Sequence, residues 1–142
     1  MTFLKILTGA LVGTSVMTLF SYYLSNKTNK QFKEPVLLNK LIYHSTPIKN
    51  IMPGWMIHYS VGFFFMLGFH FFWKFTPFNP TFLSSTFLGL MGGLLGIAGW
   101  HFIFRLHADP PIVDFPKYYL HLLAAHVVFG WGATAGYTLI EG

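Results

Sequence analysis

The chain has 142 residues, of which 54% are hydrophobic, 20% aromatic and only 9% charged. A soluble domain carries roughly a quarter of its residues charged, so nine basic and four acidic side chains exclude an ordinary water-surrounded domain, and the apolar content excludes disorder. The absence of cysteine removes disulfide frameworks, thiolate metal sites and cysteine nucleophiles together.

Four stretches are apolar over the length a bilayer core requires, about 20 helical residues. The first covers residues 3–24, broken only by Lys5. It is too long for a signal-peptide core and ends in Tyr22-Tyr23-Leu24 rather than small residues, so it reads as a retained helix. A loop over 25–54 follows. Within it Glu34-Pro35 opens a short amphipathic helix, proline suiting a first turn. Its apolar stripe is Leu37, Leu38, Leu41 and Ile42, flanked by Lys33 and Lys40. Two placements suit this pattern: a helix lying on the membrane interface with its lysines on anionic headgroups, or a plug beneath the bundle.

The second span covers 55–75, the third 81–104 and the fourth 118–140, with a loop over 105–117. No proline falls inside a span, whereas Pro47, Pro53, Pro77, Pro80, Pro110, Pro111 and Pro116 lie between spans. Each span should be helical, because lipid offers no partner to an unpaired backbone group. The expected fold is therefore all-α: one integral membrane four-helix bundle over 1–142, with the short helix in its first loop.

Lys27, Lys30, Lys33, Lys40 and Lys49 lie in the first loop, Arg105 and Lys117 in the other, on the same side of the membrane. The positive-inside rule makes that side cytoplasmic and puts both termini outside. Topology thus accounts for the basic balance, and no aromatic-interleaved basic groove points to nucleic acid. Lys33, Lys40 and Arg105 are the candidate contacts for lipid headgroups or other anions. Arg105 ends the third span, where a cation complements the helix dipole.

Small residues mark close packing. Gly9 and Gly13 form a Gly-x-x-x-Gly pair in the first span, Gly89, Gly92, Gly93 and Gly96 stripe the third, and Gly130 belongs to the fourth. Such spacing lets backbones approach where van der Waals contact replaces the hydrophobic force. The partner helix is in the same chain or in a second copy, as in a homodimer or larger membrane complex. The halves also resemble one another, with Gly9-x-x-x-Gly13 beside Gly89-x-x-x-Gly93 and His58-x-x-x-Gly62 beside His126-x-x-x-Gly130. Two tandem helix hairpins would explain this, and so would chance alignment among glycines that are abundant in membrane helices.

Seven histidines outnumber the acids, and all but His70 fall in the cytoplasmic half or its loops. His58, His101, His107 and His126 are the candidate metal ligands. His58, His101 and His126 are also the candidate cofactor contacts, since imidazole suits transition metals and haem iron. The competing reading is structural, with histidines hydrogen-bonding between helices. It is favoured by the lack of a His-x-x-x-His or His-Glu-x-x-His spacing. His121 and His126 are five apart, about 140° around a helix, and do not share a face. His126 lies deepest, with His58 as its expected partner. Trp131, deep in the fourth span, needs an acceptor for its indole N–H.

The segment from Gly9 to Met17 (GALVGTSVM), the His58-x-x-x-Gly62 and His126-x-x-x-Gly130 motifs and the glycine-rich third span resemble families of small four-helix bacterial inner-membrane proteins of uncharacterised function. The resemblance implies a multi-pass inner-membrane protein and supplies no catalytic residues. No nucleophile with an acid–base partner or phosphate loop is legible. Three functions compete: a structural or accessory membrane subunit, which needs no cofactor and is the leading expectation; a metal- or haem-binding protein; and a small dimeric transporter.

Overall fold

The computed structural model describes residues 1–43 and 50–140. His44, Pro47, Lys49 and Glu141, of which Pro47 and Lys49 entered the arguments above, lie outside the described residues. All regular structure among the described residues is helical: α1 (Thr2–Thr28), α2 (Glu34–Tyr43), α3 (Met52–Phe75), α4 (Phe82–Leu106) and α5 (Phe115–Thr138). Helices form at the four stretches expected to span and at the short helix in the first loop, although α4 starts one residue later than expected and α5 begins and ends before its expected bounds.

Local sequence explains the boundaries. Asn29 ends α1 in the left-handed conformation at φ 53°, one of the few residues besides glycine that visit it readily. Pro53 and Pro116 sit in the first turns of α3 and α5, where a missing N–H costs nothing. Thr81 caps α4 reciprocally: its hydroxyl accepts from Ser84 N at 3.2 Å, while Ser84 Oγ accepts from Thr81 N at 3.1 Å.

Three helices, α1, α3 and α4, are long and apolar enough to cross a membrane. The expectation was four. Helix α5 matches α3 in length at 24 residues but is less apolar, for a reason visible in its packing. It is the central helix, flanked by α1 and α4, and twelve of its residues are buried, among them His121, His126, Gly130, Gly132, Thr134 and Gly136. A helix surrounded by protein can exchange lipid-facing leucine for small and polar residues.

The remaining contacts run α3 on α1 and α2 on α3, while α3 and α4, adjacent in sequence, barely touch. The glycine stripes are consumed within this chain. A Cβ at Gly89 would lie 2.6 Å from His126 O, one at Gly13 2.9 Å from Phe129 O, and one at Gly130 2.5 Å from Ser85 O. Gly9 and Gly93 likewise face α5 backbone, at Ala133 and Leu123. Helix α1 as a whole packs more on α5 than on α3, the next helix of its own half, so the likeness between the two halves does not extend to their packing.

Two apolar clusters form. One, including Ile6, Met66, Phe69, Trp73, Leu88 and Phe129, fills the end near the chain termini. The other gathers Phe32, Leu37, Trp100, Phe104, Tyr118 and Leu122 at the end of the two long loops. Those loops are tied together there: Lys30 Nζ pairs with Asp114 Oδ2 at 3.1 Å, and His107 Nε2 lies 2.8 Å from Leu41 O.

Helix α2 packs one face against α3. Glu34, Pro35, Leu37 and Asn39 are buried, and Asn39 is fully enclosed because α3 supplies its partners. Asn39 Nδ2 donates to Ile51 O at 2.8 Å, and its Oδ1 accepts from Gly54 N at 2.9 Å. Gly54 is required at this crossing, since a Cβ would meet Pro35 O.

Candidate functional site

The site begins with a spacing on α1. Thr14, Thr18, Ser21 and Ser25 recur at four, three and four residues and so share one helix face. All four are buried. This stripe faces α3, α2 and α5 and organises their polar groups. Thr18 donates its hydroxyl proton to Thr14 O at 2.6 Å. Its oxygen is then left to accept from His58 Nε2 at 2.9 Å, which fixes His58 as the Nε2–H tautomer.

One turn on, Ser21 donates to Glu34 Oε1 at 2.8 Å. With that proton committed, His121 Nε2–H is the donor to both Ser21 Oγ at 3.0 Å and Glu34 Oε1 at 3.2 Å. His121 is also sandwiched between rings, with Phe32 at 4.4 Å and Phe20 at 5.7 Å, both stacked. Glu34 is only 2% exposed. Its Oε1 is satisfied twice, yet its Oε2 has no hydrogen-bond partner, and neither do Thr14 Oγ1 and His121 Nδ1.

Beside this network a cleft of about 260 Å³ opens where α3 and α4 fail to meet. His58, His126, Glu34 and Thr14 contribute its polar wall, and Phe65 and Trp100 are part of its apolar wall. Val61, Leu95 and Ile103 also line it and are exposed apolar residues, so its mouth lies on a face suited to hydrocarbon. His126 Nδ1 lies 2.7 Å from Leu122 O and donates to it. Nε2 is then the lone-pair nitrogen, and it faces Gly96, where a Cβ would lie 3.1 Å away.

Of the residues expected from sequence, His58 and His126 do reach one cavity. They are not each other's hydrogen-bond partners: His58 is held by Thr18 and His126 by its own helix. His101 and His107 do not join them. His101 is exposed, 3.3 Å from Tyr119 Oη, and His107 links α2 to the second loop, accepting at Nδ1 from Asp109 N. No group of three histidine, aspartate or glutamate side chains among the described residues is arranged to hold a metal ion. Lys33 lies over the Tyr22 ring at 5.1 Å, Lys40 is half-buried, and Arg105 is exposed at the end of α4. Trp131 finds its acceptor in Thr86 Oγ1 at 2.8 Å.

Glu34, His121, Ser21 and Asn39 were not among the candidate site residues expected from sequence. The signal available was the hydroxyl stripe of α1, whose period requires polar partners on whatever packs against it. No protein-family model, curated protein or solved structure matches this chain.

Proposed function

We propose that the chain is a four-span membrane protein that binds a small amphipathic molecule in the cleft between α3 and α4, admitted sideways from the bilayer. One observation supports this above the others. Two helices adjacent in sequence are held apart over a cavity whose rim is apolar and whose lining includes Thr14 and Glu34, residues that carry buried polar atoms without partners. A purely structural bundle gains by closing such a gap, because a void forfeits packing contacts. The polar atoms there also cost free energy while unpaired.

In this reading α5 is the fourth span, both loops face the cytoplasm, and both termini lie outside an inner membrane. The lysine distribution supports that orientation. The protein then acts as a binding or accessory component rather than a hydrolase. The dimeric-transporter reading gains nothing, because the glycine faces it would use are already packed within one chain. The cofactor reading rests on a single imidazole, His126, whose backbone-held Nδ1–H is the arrangement that frees Nε2 for a metal. Visible absorption and elemental analysis of the purified protein test it.

Sideways access is tested at Gly99, which lines the cleft and has no atom within 4 Å of a Cβ position. The chain has no native cysteine, so Gly99→Cys accepts a single fluorescent label, as does exposed Gly68→Cys for reference. In bilayers, lipids brominated on their acyl chains should quench both labels. Quenching at 99 by aqueous iodide alone would show that the cleft opens to water and overturn the reading.

A further inference from the structure

We infer that the polar head read by the cleft is a hydroxyl group, so that the ligand is a lipid-soluble alcohol or phenol. The inference rests on the cleft reading above and names its ligand chemistry. Three residues that line the cavity carry polar atoms whose hydrogen-bonding capacity is unused, and these define what would satisfy it. Glu34 Oε2 is without a partner on a side chain 3% exposed. Thr14 Oγ1 is without a partner on a residue 1% exposed. His126 Nε2 is the acceptor nitrogen of a ring whose other nitrogen is already committed.

The Thr14 hydroxyl is informative because its neighbour behaves differently. Thr18 satisfies its own proton on the carbonyl four residues back, the usual resort of a threonine in a membrane helix. Thr14 does not, and its oxygen sits against Gly62, where any Cβ would collide with it. Gly62 therefore makes room for this hydroxyl between α1 and α3. Thr14 offers a proton and a lone pair, whereas His126 Nε2 offers a lone pair only. A ligand carbonyl or ether can only accept, so it answers Thr14 and leaves the acceptors bare. A ligand hydroxyl donates to Glu34 or His126 and accepts from Thr14.

A cationic head fits less well. The carboxyl of Glu34 already receives donors from Ser21 and His121 on Oε1, and His58 and His126 share the cavity wall. A cation would meet imidazoles on several sides, and each would have to stay neutral. The apolar walls, Phe65, Phe129, Leu95 and Ile103 among them, suit a hydrocarbon body, as ligand pockets with few placed polar groups generally do.

The test uses the full chain in lipid nanodiscs and three probes of equal chain length: 1-dodecanol, dodecyl methyl ether and dodecyltrimethylammonium. Binding is read by the fluorescence of Trp100, which lines the cleft, with Trp100→Phe as the control. The expected result is dodecanol binding at least about tenfold tighter than the ether, roughly one charge-assisted hydrogen bond. Glu34→Gln should lower that ratio, because its amide presents a donor where the carboxyl accepted and leaves only His126 Nε2 to accept the ligand proton. Thr14→Val removes only the hydroxyl and should weaken alcohol and ether together. Equal binding of alcohol and ether by the unmodified chain overturns the hydroxyl assignment while leaving the cleft reading intact. Tightest binding of the ammonium probe overturns it in favour of a cation. No response to any probe overturns both.

Discussion

A matched pair of glycine substitutions on α4 measures how firmly the cleft is built. A Cβ at Gly96 would lie 2.9 Å from His126 Cε1 and 3.1 Å from Nε2, whereas at Gly99 it would meet nothing within 4 Å. The imidazole cannot swing away freely, since Nδ1–H is bonded to Leu122 O. Gly96→Ala must therefore compress the ring or break that bond. Overpacking costs about 1–3 kcal/mol, and a hydrogen bond about 0.5–1.5 kcal/mol. Both variants gain the same intrinsic helix preference of alanine over glycine, about 1 kcal/mol, which cancels in the comparison. Gly96→Ala should thus be less stable than Gly99→Ala by about 1–3 kcal/mol. Reversible unfolding in mixed micelles, followed by far-ultraviolet circular dichroism, reads the difference. Equal stability within about 0.5 kcal/mol would refute the placement of His126 against α4, and with it the shape of the cleft.

Four further outcomes follow from the same geometry. Asn39→Ala strands Gly54 N–H and Ile51 O in the α2–α3 clasp and should cost about 1–3 kcal/mol by the same unfolding assay. Thr18→Val leaves the buried His58 Nε2–H without an acceptor at a similar cost of about 1–3 kcal/mol, while exposed Ser60→Ala, whose hydroxyl only back-bonds to Met56 O, should be nearly neutral. Asp114 has its pKa held below the ordinary 3.8 by its hydrogen bond to Lys30, and further by Lys117. A lowered folded-state value means the Lys30–Asp114 tie contributes above the ordinary aspartate pKa and is lost as pH falls through the lower folded value. Stability of Asp114→Asn relative to the unmodified chain, measured against pH, should show a small deficit at neutral pH that disappears in strong acid. Finally, if α5 spans, tags at the two termini should be accessible from the same side of sealed vesicles, and opposite accessibility would remove α5 from the membrane.

The helices were legible because their signals are local: apolar length, and prolines that fall between the spans rather than inside them. The reduced apolarity of α5 was not read as such, since it follows from a central position that only tertiary packing creates. The packing of α2 was not legible, because its amphipathic pattern suits either placement and the clasp of Asn39 on Gly54 is a contact between helices. His58 and His126 were found because imidazole is conspicuous in an apolar span. Glu34 was read only as the opening residue of the short helix, because its burial beside Ser21 and His121 comes from the packing of α2 against the bundle. The five-residue separation of His121 from His126 did indicate different faces, and they face different helices: His121 turns to Ser21 and Glu34, His126 to α4.

The central claim is that the cleft between α3 and α4 holds a molecule taken from the bilayer. Mass spectrometry of the intact protein released from its native membranes without denaturation tests it most directly. The account predicts a species heavier than the chain by one small apolar molecule, present for the unmodified protein and lost when Gly96→Leu fills the cleft. The mass of the bare chain alone, or an adduct that persists in Gly96→Leu, would contradict it.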